Sequence, residues 1–234
     1  AVGARNDDMD ENDNASGGSN RGAIHIMFMN IDGSVDSTVE INDSTDNGPT
    51  LANGDFFGSS VANIGDLNGD GVNDLAVAAV GDDEGGPEIG TVHIIFMNID
   101  GSVDSTVEIN DSTNNGPVLT DEDKFGYSIA NIGDLNGDGV NDLAVAAVYD
   151  DNGDDDSGAI HIMFMNIDGS VDSTVEINSS TTNGPTLAEG DNFGASVANI
   201  GDLNGDGVND IAVGARNDDM DENDNASGGS NRGA

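Results

Sequence analysis

The chain contains no cysteine and no tryptophan, and only 5 of its 234 residues are lysine or arginine. The lack of cysteine excludes disulfide bonds and thiolate metal sites and leaves the redox compartment open. The scarcity of cations excludes nucleic acid as a partner, because phosphate binding needs clustered Lys and Arg. No apolar run approaches the roughly 18 residues that a membrane-spanning helix needs, so we expect no membrane insertion. Aromatic residues make up 4% of the chain, so the core must be largely aliphatic.

Acidic residues dominate the charge. Asp and Glu number 46, which gives a formal net charge of −41. Most of them are Asp, a residue that suits turns and ion sites better than helix interiors or strands. Cations are therefore the expected partners, and the fold is expected to depend on bound cations or on high salt, because so many like charges repel one another.

One nine-residue string, Asp-Leu-Asn-Gly-Asp-Gly-Val-Asn-Asp, occurs three times without change, at Asp66–Asp74, Asp134–Asp142 and Asp202–Asp210. The copies start 68 residues apart (134 − 66 and 202 − 134). A fixed period of this size indicates an array of one structural unit. The period predicts a partial unit over residues 1–56, units over 57–124 and 125–192, and a second partial unit over 193–234.

The two ends of the chain also repeat. Residues 1–23 reappear, residue for residue, as 212–234. An engineered circular permutation would rarely repeat a whole strand together with an irregular acidic loop. A window cut from a much longer natural array explains the overlap more simply, so we expect further units of the same kind.

Each unit is predicted to contain four β-strands. In the second unit these strands are Phe57–Ile64, Asp74–Val80, Thr91–Asn98 and Val103–Asn110. The second is apolar on both faces, as in a buried strand, whereas the fourth is half polar. An Asp-Gly turn joins the last two strands as a hairpin. Four such strands form one antiparallel sheet, too small to be stable alone, so the units must stack. The predicted fold is all-β, with tandem four-stranded antiparallel blades.

The repeated string has the ligand spacing of a calcium loop. Oxygen ligands fall at positions one, three, five, seven (a backbone carbonyl) and nine: Asp66, Asn68, Asp70, Val72 and Asp74; Asp134, Asn136, Asp138, Val140 and Asp142; and Asp202, Asn204, Asp206, Val208 and Asp210. This is the spacing of an EF-hand loop through its first nine positions, and hard oxygen ligands favour Ca²⁺ over Mg²⁺.

The loop is not an EF-hand, because the bidentate Glu at position twelve is missing and Val77 stands there, inside a predicted strand. The alternative is a set of ion-free Asp-Gly and Asn-Gly turns. Three Ca²⁺ ions would offset only 6 of the 41 negative charges (3 × 2), so calcium is expected to act as a local staple.

The order of these motifs resembles a known repeat. Phe57-Gly58 is followed by Gly-Asp-x-Asn-Gly-Asp-Gly-x-x-Asp, and the apolar strand of the last unit ends in Val213-Gly214-Ala215. This pattern resembles the FG-GAP repeat, as in the β-propeller of integrin α-subunits. The resemblance implies four-stranded blades with calcium in a loop between strands, in extracellular or cell-surface proteins that adhere or bind ligands.

The number of units departs from that pattern. A closed propeller needs at least four blades, and the chain carries three units' worth of sequence. Either two chains close a ring, or the blades continue as an open array or filament. Near-identical copies favour the second arrangement, because a binding propeller usually diversifies its loops.

Several weaker features of the sequence also allow an interpretation. Asp32 and its counterparts Asp100 and Asp168 are interpreted as hairpin-turn residues rather than a second cation site. The acidic loops Asp7–Asp13, Asp82–Glu88 and Asp150–Asp156 are expected to be solvated. The repeated histidines, His25, His93 and His161, are expected to stack between units. The Asn-x-Ser triplets at Asn14, Asn42, Asn110 and Asn178 are possible sites of attached glycans.

Taken together, the sequence predicts a structural, extracellular, calcium-binding tandem-repeat protein that associates with neighbouring copies or repeats as a long array or filament. The alternative is a ligand-binding or adhesive propeller, completed by dimerisation, whose ligands include glycans. We expect no enzyme, because the sequence shows no Ser-His-acid pattern, no phosphate loop and no histidine-based metal site.

Overall fold

The computed structural model describes residues 1–7 and 20–218. All of the regular secondary structure in those residues is β-strand. Those residues include no helix with the length and apolarity that a membrane crossing requires. The strands are β1 (Val2–Ala4), β2 (Ala23–Met29), β3 (Val35–Ile41), β4 (Phe57–Gly65), β5 (Asp74–Ala79), β6 (Thr91–Met97), β7 (Val103–Ile109), β8 (Phe125–Gly133), β9 (Asp142–Ala147), β10 (Ala159–Met165), β11 (Val171–Ile177), β12 (Phe193–Gly201) and β13 (Asp210–Ala215).

The strands form antiparallel sheets in chain order. Strands β4 to β7 make one four-stranded sheet and β8 to β11 make another, while β1 to β3 and β12 to β13 form a three-stranded and a two-stranded sheet. None of the described sheets closes on itself. The predicted all-β fold of four-stranded antiparallel blades in an open arrangement is therefore confirmed, and the strands of the second unit end within one residue of their predicted bounds.

The burial of each strand follows its sequence. Strands β5 and β9, both Asp-Leu-Ala-Val-Ala-Ala, are almost wholly buried, since their small apolar side chains face a neighbouring blade on both sides. Strand β7 exposes Asp104 and Ser105 and buries Val103 and Ile109. The second strand of each blade is thus covered on both faces, and the fourth strand is its solvated edge.

The hydrophobic cores lie between the blades. Ile24 and Ile41 of the first sheet pack with Phe57 and Ile95 of the second. The second and third sheets share a core of the same kind, built around Phe125, and the third and fourth share another. Because each core takes side chains from two blades, no blade can bury its apolar faces without a neighbour.

The Phe-Gly step explains how closely the blades approach. Phe125 is fully buried, and Gly126 holds φ +92° in the left-handed region that favours glycine. A Cβ on Gly126 would lie 2.7 Å from the Cβ of Ala78 in the preceding blade. A bulky Phe followed by a residue without a side chain, facing a small residue of the neighbour, is therefore a packing requirement.

The repeated histidines stack on these phenylalanines. The ring centroids of Phe57 and His93 lie 5.4 Å apart, edge to face, and those of Phe125 and His161 lie 5.6 Å apart. Each ring pair belongs to one unit. The expected contact between units is thus replaced by a contact within the unit, because the first and third strands of a sheet present these two rings on the same face.

Candidate cation-binding loops

The three nine-residue loops occupy equivalent places in successive blades. They join β4 to β5, β8 to β9 and β12 to β13. Because neighbouring strands are antiparallel, each loop lies at the same end of its blade as the hairpin that follows the third strand, such as residues 98–102. We call this the loop end. The far end carries the other connections, such as residues 50–59 and 80–90.

Backbone N–H groups hold the first carboxylate of the loop. Asp66 Oδ1 accepts hydrogen bonds from the N–H groups of Gly69 (2.8 Å) and Asp70 (2.9 Å), and Oδ2 accepts one from Gly71 (2.9 Å). The equivalent N–H groups lower the pKa of Asp202 in the last loop. The chain therefore curls around the carboxylate at position one of the loop.

The side chains at positions three and five hydrogen-bond within the exposed part of the loop. Asn68 Oδ1 accepts from the N–H of Asp70 (3.0 Å), and Asp70 Oδ1 accepts from the N–H of Val72 (2.8 Å). The Asn68 amide also donates to Asp70 Oδ2 (3.1 Å). These contacts place the amide of position three beside the carboxylate of position five.

The carboxylate at position nine turns into the protein. Asp74 is fully buried, and its oxygens accept from the N–H of Leu67 (2.9 Å) and the N–H of Met97 (3.0 Å). Burial raises its pKa. Asp142 makes the same two contacts in the next blade. This residue closes the loop and ties it to the third strand, a role that its spacing in sequence did not indicate.

The donor chemistry of the loops fits Ca²⁺, since every predicted ligand is a hard oxygen. Within the described residues, no three Asp, Glu or His side chains converge with the geometry that a metal ion requires. An ion held by all five positions must share the oxygens of Asp74 with its N–H partners, and each carboxylate oxygen keeps a second lone pair for that purpose.

Position eight of the loop joins neighbouring blades. Asn141 Nδ2 donates to the carbonyl oxygen of Ile64 in the preceding blade (2.9 Å), and Asn209 Nδ2 donates in the same way to Ile132 (2.9 Å). Sequence reasoning missed this residue because it looked only for ion ligands. The available signal was an asparagine that stays unchanged in all three copies although it lies outside the ligand positions.

Several carboxylates are buried at the far end. Asp55 and Asp123 each precede the Phe of a Phe-Gly step by two residues, and burial raises the pKa of both to about 6. The Asp123 carboxylate accepts from the N–H (2.7 Å) and hydroxyl (2.9 Å) of Thr120. The acidic loops next to them are only partly solvated, because their first residues, Asp82 and Asp150, are buried.

The remaining described candidate residues, for a second cation site and for attached glycans, lie in turns. Asp32 accepts from the N–H (3.0 Å) and hydroxyl (2.7 Å) of Ser34, which makes a plain hairpin turn. Asn42, Asn110 and Asn178 are buried, and each caps a turn by accepting from the serine two residues on. Burial of these side chains speaks against attached glycans. The triplet at Asn14 and the acidic residues 8–13 lie outside the described residues.

Similarity to known proteins agrees with this architecture of repeated blades. The sequence model of the FG-GAP repeat family, described as "FG-GAP repeat", matches residues 57–95, 125–163 and 193–232, which together make up about half of the chain. The chain belongs to the FG-GAP repeat family, as the order of its motifs predicted.

Curated relatives point the same way. The chain is 31% identical over 166 residues to Integrin alpha-PS5 of Drosophila melanogaster, 36% over 165 residues to Integrin alpha-11 of Homo sapiens, and 30% over 167 residues to Integrin alpha-4 of Xenopus laevis. Each alignment covers 69% of the chain but only 15%, 13% and 14% of the respective relative. Integrin alpha subunits are cell-surface proteins, which confirms the predicted extracellular or cell-surface location, and their repeats are of an adhesion type.

Proposed function

We propose that each nine-residue loop binds one Ca²⁺ ion and that the ion fastens neighbouring blades together. The observation that carries this proposal is the double attachment of the loop. In the second and third loops the first carboxylate is held by backbone N–H groups, and the position-eight asparagine reaches the preceding blade. An ion that fixes the curl would therefore also fix the contact between blades.

The ion would be held by the side chains at positions one, three, five and nine together with the carbonyl at position seven. It would supply charge neutralisation where two exposed carboxylates, Asp66 and Asp70, lie in one short loop. Ligands that bind only the folded state stabilise it by mass action. Chelation should therefore lower the melting temperature, and an unchanged melt in the presence of chelator would remove the calcium proposal.

The biological role that fits this design is a structural one: an extracellular, calcium-stapled array that extends by adding blades and associates with further copies or repeats. The second and third blades, and likewise the third and fourth, meet through the same Phe-Gly step and the same asparagine bond, so both of these junctions use one set of contacts. Electron microscopy of the purified protein in calcium tests this role. Extended or polymerised particles are expected, and a population of compact rings alone would contradict it.

The second candidate is an adhesive propeller that two chains complete. The observation in its favour is that blades differ in sequence at the far end, where Lys124 and Tyr149 replace Phe56 and Gly81 of the preceding unit. Light scattering decides between the candidates, because a defined dimer supports the ring and a broad, growing mass distribution supports the array. Neither candidate calls for catalysis, and we propose no enzymatic activity.

A further inference from the structure

The two ends of the blades differ in how far the units diverge in sequence. At the loop end, residues 62–74 and 96–104 recur unchanged in other units. At the far end, three aligned positions carry a different side chain in each unit: Phe56, Lys124 and Asn192; Ser59, Tyr127 and Ala195; and Gly81, Tyr149 and Asn217. At a fourth position Val80 and Val148 are followed by Arg216. Loops on a rigid scaffold are where proteins place their recognition residues. The far end is therefore the place to look for a ligand site.

A cavity of about 360 Å³ opens at this end between three successive units. Its lining includes Arg5, Phe56, Glu88, Lys124, Tyr127 and Tyr149. Both tyrosines of the chain and two of its five lysine and arginine residues thus meet at one place. Aromatic walls with a few converging polar groups are typical of small-molecule sites.

Arg216 holds the two tyrosines in place. Its guanidinium donates to the hydroxyl oxygens of Tyr127 (2.8 Å) and Tyr149 (2.9 Å) and lies 5.5 Å from the ring centroid of Tyr127. A third bond runs to the amide oxygen of Asn192 (3.2 Å). The ring positions are fixed before any ligand arrives, which reduces the cost of ordering them on binding.

The two cationic side chains that line the cavity differ in their existing ion pairs. Lys124 Nζ lies 3.0 Å from Glu88 Oε2 and 5.5 Å from the ring centroid of Tyr149. Arg5 is exposed and makes no hydrogen bond or ion pair with any residue in the described ranges. The lining of the cavity therefore includes an exposed guanidinium and a carboxylate–ammonium pair.

Three lining residues have positive φ values at positions where other units carry Asn or Asp. Phe56, Glu88 and Lys124 have φ values of 56°, 48° and 53°. The aligned Asn192 and Asn20 have φ values of 54° and 60°, and asparagine tolerates this left-handed region better than most side chains do. Strained residues persist where their side chains serve a purpose, and here all three face one cavity.

We propose that this cavity binds a small carboxylate-bearing sugar, such as a uronic acid. The Arg5 guanidinium suits a carboxylate, which it can bind through two parallel N–H bonds. The ring faces of the two tyrosines supply apolar area for a sugar ring. Glu88 accepts hydrogen bonds from hydroxyl groups, which a sugar supplies and a simple aromatic acid lacks.

The size of the ligand follows from the charge of the chain. A net charge of −41 repels a polyanion, whereas a ligand with a single negative charge meets only the local field, since charges more than about 10 Å apart are largely screened in physiological salt. This inference does not depend on the calcium loops, which lie at the other end of the blades. The two proposals can therefore fail separately.

The test is a saturation-transfer NMR titration of the folded chain with D-glucuronate, in physiological salt with calcium present. Saturable binding of glucuronate is expected. D-glucose and acetate should each bind about tenfold more weakly, because D-glucose lacks the carboxylate and acetate lacks the sugar ring. Arg5→Gln removes an exposed group and should weaken glucuronate binding about tenfold, the loss of a charge-assisted hydrogen bond.

Lys124→Asn separates ligand binding from structure. It should weaken binding to a similar extent while leaving the melting temperature equal or higher, because it installs the residue that the next unit carries at this backbone conformation. Arg21→Gln, which removes the same charge from the Asp43 and Asn53 contacts outside the cavity, is the matched control and should leave binding within twofold. Equal binding of glucose, full competition by acetate, or an equal loss in Arg21→Gln would overturn the proposal.

Discussion

At the scale of single residues, aspartate serves three roles in this chain, and the surroundings decide which. Asp66 and its counterparts are exposed carboxylates held by backbone N–H groups, and such bonds lower the pKa of Asp202. Asp74 is buried and ties its loop to the third strand. Asp123 is buried near other acids, and its pKa is raised to about 6. From composition alone, all of these aspartates would be expected to be solvated.

The carboxylate at position five tests the ion site. Asp70→Asn keeps an oxygen that can accept from the N–H of Val72 and removes one negative charge. We expect calcium affinity at that loop to fall about tenfold or more, since charge-assisted contacts contribute roughly 1.5–3 kcal/mol. Calorimetric titration with calcium measures the change. The same substitution at the exposed Asp104 of β7 should leave the affinity of every loop unchanged.

The buried carboxylate at the far end predicts a pH dependence. The pKa of Asp123 in the folded chain is about 6, above its ordinary value of 3.8, because burial disfavours the charged form. Its contribution to stability is fully present below pH 3.8 and is lost as the pH rises through about 6. Asp123→Asn should therefore be more stable than the native chain at pH 7, by roughly 1–3 kcal/mol, and no more stable at pH 3.5 to 4.

Denaturant unfolding of both proteins at the two pH values measures this difference. Asp172→Asn removes the same charge from an exposed position on β11, so it controls for the overall reduction in net charge. An equal gain from both substitutions would show that repulsion across the whole molecule, rather than burial of Asp123, governs the effect.

At the scale of elements, the strands can be predicted from the sequence, whereas the long-range contacts that join loops, strands and blades cannot. The alternation of apolar residues and the Asp-Gly turns predicted β4 to β7 to within one residue at each end. The bond from Asp74 to the N–H of Met97 spans 23 residues, and that from Asn141 to Ile64 spans 77. No local pattern encodes contacts of this range, because they depend on how sheets pack.

The Phe-Gly step should be the most sensitive junction between blades. Gly126→Ala places a Cβ 2.7 Å from the Cβ of Ala78 and also forces a left-handed backbone on alanine. We expect a loss of roughly 2–5 kcal/mol in the free energy of unfolding, from backbone strain and overpacking together. Gly190→Ala meets open space at φ +79° and should lose only about 1–2 kcal/mol. Chemical denaturation of the two variants separates the effects, and equal losses would contradict the packing account.

The asparagine at position eight offers a matched pair of substitutions. Asn141→Ala removes the hydrogen bond to the carbonyl oxygen of Ile64 in the preceding blade and should cost about 1 kcal/mol or more. Asn73 occupies the same position in the second unit and bonds to no described residue, so Asn73→Ala should cost little. Thermal melts of both variants in calcium check this difference. A similar loss from both would assign the asparagine to the loop itself rather than to the junction.

At the scale of the whole molecule, charge and repetition are linked. Blades that share their cores must approach closely, yet the chain carries a net charge of −41. The sequence predicted both the period and the open arrangement, because identical strings at a fixed spacing leave few other folds. The sequence could not predict that variable residues at the far end line one cavity, because Arg5, Lys124 and Tyr149 come together only when three units pack.

The central claim, that the repeated loops are calcium staples, is tested most directly by the stoichiometry of calcium binding. Calorimetric titration of the chain in physiological salt with excess magnesium should show three saturable calcium sites per chain, one for each loop of the sequence. Excess magnesium and salt suppress the non-specific condensation that so acidic a chain would otherwise show. Three specific sites would establish the staple, and the absence of saturable calcium binding would contradict it.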